Sequence, residues 1–237
     1  MFSLKLRYLK NFADYFSSNK KYALLYADFN VLNYLYESDY QNDNPDIIFY
    51  PDSTAVFASM NFSKYNKYKR LVSTDLLDQL LIDSSNSGSN LFFFGNSESV
   101  LEKMNERLKN LYPSIRIGGF YNGFCYSDNE VVKMINDCNT EILFVGLGVG
   151  RQEKWIMENF DKLNCRLIVS CGGWFNFLSS KTVRAPLFIR KLHLEWLYKL
   201  FTDFNRVWKR YLLGIPKFFY RIITKKIRLE LITSEEK

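Results

Sequence analysis

Residues able to do chemistry gather directly after short apolar runs. Asp28 and Asn30 follow Tyr22–Tyr26, and Pro51-Asp52-Ser53-Thr54 follows Ile47–Tyr50. Gly95-Asn96-Ser97 follows Leu91–Phe94, and the stretch Gly146 to Glu153 (GLGVGRQE) follows Ile142–Val145. Cys171-Gly172-Gly173-Trp174 follows Leu167–Val169. A carboxylate at such a position, Asp52 above all, suits a general base that takes a proton from an attacking hydroxyl, although a strand-end Asp also serves as a turn residue or helix cap. The glycines of 146–150 invite comparison with a dinucleotide fingerprint, but Arg151 stands where its third glycine belongs. What remains is a tight strand-to-helix turn whose backbone N–H groups are able to hold a phosphate. Arg70, Arg184, Arg206 and Arg210 carry the forked guanidinium that grips phosphates, or else are simply solvated. His193, the sole histidine, lies between Leu192 and Leu194 and reads as structural. There is no HExxH, Walker or DxD pattern, and Cys125, Cys138, Cys165 and Cys171 show no CxxC spacing. Neither a metal nor a cofactor is expected.

For these loops to meet, their strands must lie side by side and point the same way. Apolar runs at Tyr22–Tyr26, Ile47–Tyr50, Leu91–Phe94, Ile115–Ile117, Ile142–Val145 and Leu167–Val169 alternate with helical patterns. The helical stretches are Val31–Tyr36, Thr74–Asp83, Ser97–Leu111, Asn129–Asn136 and Gln152–Leu163. Alternation with continuously apolar strands predicts an α/β fold: a Rossmann-like, mostly parallel sheet with helices on both faces. Ligands of such sheets bind beyond the carboxyl ends of the strands. Ser97 and Ser127–Asp128 sit where helices start. The catalytic α/β domain is expected over 1–186, and a basic, amphipathic helical appendage over 187–237.

That appendage carries the charge. The chain has 237 residues and a net charge of +7. From Arg190 to Arg228 eleven Lys and Arg face only Glu195 and Asp203, a local +9 that leaves the remainder at −2. Phe188–Leu213 reads as one helix, with Leu197, Leu200, Phe201, Phe204, Trp208, Tyr211 and Leu212 at spacings of three and four. Pro216 should break or kink it, and a second amphipathic stretch spans Lys217–Leu231. Aromatic and aliphatic residues interleaved with bases suit an interfacial helix, or a docking helix with a solvated basic face. No run reaches the 18 or so apolar residues that a span requires, and the N-terminus lacks the apolar core of a signal peptide. Cys165 and Cys171, in an apolar run, are expected as buried thiols, and the compartment as reducing cytoplasm.

Taken in order, these blocks resemble the WecG/TagA/CpsF glycosyltransferases from about Asn11 to Arg221. Asp28-Phe29-Asn30 stands at the family's Thr-x-Asn, and Pro51-Asp52-Ser53 at Pro-Asp-Gly. Arg70 to Leu76 (RLVSTDL) stands at Arg-x-x-Gly-Thr-Asp-Leu, and Gly146 to Glu153 at Gly-Leu-Gly-x-Pro-x-Gln-Glu. Gly172 to Phe177 matches Gly-Gly-x-Phe-Asp-Phe. Arg184-Ala185-Pro186 and Leu194–Tyr198 complete the series, with Arg206, Arg210 and Tyr211 beyond. The resemblance implies an inverting, metal-independent transfer of an N-acetylmannosamine-type or related sugar. The donor would be a UDP-sugar and the acceptor a polyprenyl-diphosphate-linked sugar, in cell-surface polysaccharide or teichoic acid synthesis. It implies catalytic roles for Asp52, Asn30 and Asp28, with Asp52 as base and Asn30 positioning the sugar. It implies substrate contacts from Arg70, Thr74, Asp75, Gly146, Gly148, Gln152, Glu153, Gly173, Arg184, Arg206 and Arg210. Of these, Gln152 and Glu153 would line the donor pocket, while Arg70, Arg206 and Arg210 would hold diphosphates.

A peripheral location at the inner membrane face follows from the acceptor and the basic tail, with room for an oligomer and no expectation of nucleic acid. Five residues depart from the family's pattern near the site: Asp28, Ser53, Ser73, Gly150 and Asn176. Two other classes remain open at this level. One is a Rossmann-type NAD-dependent oxidoreductase, against which the broken fingerprint counts. The other is a non-catalytic lipid- or RNA-binding module that uses the basic tail.

Overall fold

The structure is a computed structural model that describes residues 1–9, 11–18, 20–40, 44–61, 72–182, 184–192 and 194–232. The chain runs β1 (Phe2–Arg7), α1 (Ala13–Phe16), β2 (Tyr22–Ala27), α2 (Phe29–Glu37), β3 (Ile47–Pro51), α3 (Thr54–Asn61), α4 (Ser73–Ser87) and β4 (Asn90–Gly95). It continues through α5 (Glu98–Leu111), β5 (Arg116–Tyr121), α6 (Asp128–Asp137), β6 (Ile142–Gly146), α7 (Arg151–Asn159) and β7 (Leu167–Ser170). Then come α8 (Trp174–Leu178), α9 (Leu187–Lys191), α10 (Glu195–Thr202), α11 (Phe204–Trp208), α12 (Gly214–Ile223) and β8 (Ile227–Ile232).

The main sheet has six parallel strands in the order β3-β2-β7-β6-β4-β5. Every residue of β3, β6 and β7 is buried, as is all but the first of β2 and β4. Burial on both sides of a pleated strand requires cover on both faces, which is why these runs are continuously apolar rather than alternating. Phe93 shows how the middle is filled. It stacks on Phe144 at 4.9 Å and on Phe120 at 5.5 Å, with Phe175 edge-on at 5.9 Å.

Two sequence expectations about the tail are corrected. Phe188–Leu213 is not one helix: α9, α10 and α11 are short segments separated by turns. Lys217–Leu231 is not helical throughout either, because β8 pairs in parallel with β1, Phe2 opposite Ile227 and Arg7 opposite Ile232. The alternating burial of β8 is the period-2 signature that a basic, apolar-rich stretch conceals when it is read for helix. Pro216 does not end its helix. It lies in the first turn of α12, directly after a π-helical turn at Lys209–Leu213. A wide turn there accommodates a proline, which lacks an N–H and crowds the carbonyl four residues back.

Candidate active site

The carboxyl ends of β2, β3 and β7 face α4, α8 and the C-terminal helices across a cleft of about 450 Å³. Its floor is set by how two strands end. Asp28 follows β2 as the N-cap of α2, and its Oδ1 accepts from the backbone N–H groups of Asn30 and Val31, both at 2.9 Å. Asp52 follows β3 and accepts from the Ser73 hydroxyl at 3.1 Å and the Ser73 N–H at 3.3 Å, at the start of α4. Next to it Ser53 sits at φ 73°, the left-handed region that favours glycine. That is the position where the family pattern carries Gly, so this chain keeps the turn at the cost of local strain.

The opposite wall comes from α10 through α12: Glu195, Trp196, Lys199, Arg210, Tyr211 and Phe219 all line the cleft. Arg210 donates from Nη2 to Asp28 Oδ2, and its guanidinium carbon lies 5.7 Å from the Phe29 ring centre and 5.6 Å from that of Tyr211. Lys199 reaches in from α10 with its ammonium 5.4 Å from the Phe177 ring centre. Among the described residues no carboxylate lies within ion-pair distance of it. Desolvation first, then the positive field of Arg210, pull its pKa below that of an ordinary lysine, partly opposed by Glu195, Asp52 and Asp28. Arg184 also lines the cleft, but its charge is engaged by Asp75 at 2.8 Å and Asp78 at 3.3 Å. Asp78 is bound a second time by the indole N–H of Trp174 at 2.7 Å.

Of the residues singled out in the sequence, the cleft brings together Asp28, Asp52, Thr74, Gly173, Arg184 and Arg210, along with the departures Ser53, Ser73 and Asn176. Six others stand outside its lining. Asn30 contributes its backbone N–H to Asp28. Asp75 holds Arg184 from outside the cleft. Gly146 packs so closely on Phe175 that a Cβ there would lie 2.9 Å from the ring, whereas Gly148, at φ 88°, faces open space. Gln152 and Glu153 are fully buried behind the cleft. Gln152 accepts from the Gly172 N–H at 3.1 Å, donates to Glu153 at 2.7 Å and hydrogen-bonds to Tyr26, while Glu153 accepts from the Gly150 N–H. Burial pushes the Glu153 carboxyl up to about 7.

The pair thus ties the 146–150 loop to the 171–173 loop beneath the site. Gly150 itself is at φ 88° with Tyr34 against it, a conformation closed to the proline of the family pattern. Arg70 and His193 lie outside the described residues. Arg206 belongs to α11. Lys199 was not assigned to the site by the sequence, and Glu195 and Trp196 were marked only as part of the Leu194–Tyr198 block, with no role. The signal was an acid and a base at i and i+4 on one face of α10, which an isolated amphipathic pattern does not separate from a surface pair.

The family description "Glycosyl transferase WecG/TagA/CpsF family" matches residues 9–231. Similar proteins include N-acetylglucosaminyldiphosphoundecaprenol N-acetyl-beta-D-mannosaminyltransferases of Staphylococcus aureus strains NCTC 8325 / PS 47 and COL. Each is 28% identical over 179 residues, covering 76% of this chain and 70% of the relative. The match spans both the strand-end loops and the helical wall that together enclose the cleft, and the chain belongs to the WecG/TagA/CpsF family of glycosyltransferases.

Proposed function

We propose that this glycosyltransferase moves an N-acetylmannosamine-type or related sugar from a UDP-sugar to a polyprenyl-diphosphate-linked sugar, with inversion, at the cytoplasmic membrane surface. The observation that carries the reading is the pairing, across one cleft, of a hydroxyl-bound carboxylate at a strand end with cations on a helical wall. Asp52 takes the proton from the acceptor hydroxyl as that oxygen attacks the anomeric carbon. The bond from that carbon to the donor diphosphate breaks, and UDP leaves with the electron pair. A single displacement of this kind inverts the centre. The charge growing on the departing diphosphate is met by Lys199 and Arg210, with Arg70 and Arg206 as further cations. Thr74, Gly173 and Arg184 contact substrate from the cleft, and Gly146 lets Phe175 pack behind it. Gln152 and Glu153 act through the Gly172 and Gly150 backbones.

Segment 187–226 serves as the membrane-docking arm of the catalytic unit. Eleven of the sixteen exposed large hydrophobics among the described residues lie between Leu187 and Ile223, interleaved with bases. A face of that composition suits an anionic lipid surface better than water. No helix among the described residues is long and apolar enough to cross a membrane, so docking would be interfacial.

The test is UDP release with a panel of UDP-sugars and a short-chain polyprenyl-diphosphate-N-acetylglucosamine acceptor. Acceptor-dependent release with UDP-N-acetylmannosamine is expected. Acceptor-dependent release with only another donor would reassign the sugar.

A further inference from the structure

Two carboxylates, Asp28 and Asp52, face one cleft, and either is chemically able to be the base. Their surroundings separate them. Asp28 has only 5% of its side chain exposed, and both of its oxygens are engaged. Oδ1 accepts the two N–H groups that begin α2, and Oδ2 accepts from Arg210. A carboxylate whose two oxygens already hold two backbone donors and a guanidinium is less free to take an incoming hydroxyl than Asp52, which holds Ser73 alone among the hydrogen bonds given above. Arg210, in turn, sits on the π-helical turn between α11 and α12. Its Nε is buried and hydrogen-bonds to nothing among the described residues, so the Asp28 contact is what fixes its charge in place.

We infer that Asp28 is a positioning residue: it fixes the Arg210 guanidinium, and through it the helical wall, at the mouth of the cleft, and takes no proton itself. The kinetic part of this inference rests on the UDP-sugar reading. The structural part does not. Further along α2, Asn33 and Glu37 bind Gly214, Lys217 and Arg221 of the same wall. Asp28 is the member of this row that reaches into the cleft.

The test uses the full chain as Asp28→Asn, Arg210→Gln and the double variant. Asn caps a helix as well as Asp, so the first change removes the charge and keeps the cap. Amide hydrogen exchange is read first, without substrate. Each single variant should speed exchange in 204–214 about tenfold or more while β4 and β6 stay unchanged, and the double variant should be no faster than the faster single one. Turnover is read second. Asp28→Asn should raise the donor KM roughly tenfold with a much smaller change in kcat, and the acid limb of the pH profile should persist. Unchanged exchange in 204–214, or additive effects in the double variant, would overturn the latch. Loss of the acid limb, with kcat down roughly a thousandfold, would make Asp28 the base instead. If no UDP-sugar turns over, the donor assignment fails, and exchange alone decides the latch.

Discussion

At the scale of single residues, the cleft divides labour between Asp52 and Lys199. Asp52→Asn keeps an acceptor for the Ser73 hydroxyl and removes the base, so transfer should fall by about 10²–10⁴-fold with an unchanged thermal midpoint. Full activity in that variant would remove Asp52 from the chemistry. Of the cations that line the cleft, Lys199 has no ion-pair partner among the described residues, whereas Arg210 and Arg184 are engaged by carboxylates. Lys199→Met should therefore raise the donor KM roughly tenfold and weaken the salt dependence of donor binding. Because desolvation holds the Lys199 pKa below the ordinary lysine value, its charge is lost as pH rises, and sooner than at an exposed lysine. Donor affinity should accordingly decline on the alkaline side in the wild type and not in Lys199→Met. An equal decline in both would assign that limb to another group. Ser53 was visible in the sequence as a departure from Gly, and its φ of 73° gives that departure a physical meaning. Ser53→Gly should stabilise the chain by about 1 kcal/mol in urea unfolding, and no gain would show that the turn carries no strain.

At the scale of elements, the strands were legible and their neighbours were less so. Five of the six parallel strands stand where continuous apolar runs predicted them, because a strand buried on both faces has no polar position to blur its pattern; the edge strand β5, Arg116–Tyr121, has no fully buried residue and was anticipated only at its start, by Ile115–Ile117. The pair β1–β8 was not read, since it joins stretches more than 200 residues apart and each strand alternates apolar with polar residues instead of forming a continuous apolar run. Gln152 and Glu153 are the instructive pair. The sequence marked them, but not that they are buried beneath two loops. The Glu153 carboxyl, with a folded value of about 7 against 4.5 ordinarily, binds more protons folded than unfolded between those limits. Its contribution is thus fully present below about pH 4.5 and lost as pH rises through 7. Glu153→Gln, which mimics the protonated form, should remove a loss on the order of 3 kcal/mol between those values. Urea midpoints at pH 5 and 8 check this, and parallel shifts in wild type and variant would refute it.

At the scale of the whole molecule, a parallel α/β sheet supplies the floor of the cleft and the C-terminal helices supply its far wall. The sheet was expected from alternation alone. From periodicity the wall was legible only as a basic amphipathic tail, because which face of a helix meets a cleft depends on tertiary packing that periodicity does not encode; the expectation that Arg206 and Arg210 reach the site came from the family resemblance. That wall also carries Phe201, 79% exposed, and Ile223, 77% exposed. Replacing both with Ser should lower co-sedimentation with anionic vesicles by about tenfold while leaving UDP-sugar binding intact, and unchanged co-sedimentation would move the membrane contact elsewhere. The central claim joins floor to wall in one reaction, and one measurement tests it most directly. Wild type and Asp52→Asn are incubated side by side with UDP-N-acetylmannosamine and a short-chain polyprenyl-diphosphate-N-acetylglucosamine, and the lipid product is followed by mass and by the configuration of its new glycosidic bond. The prediction is an inverted disaccharide-lipid product from the wild type and essentially none from the variant. A product with retained configuration, or equal product from both proteins, would contradict it.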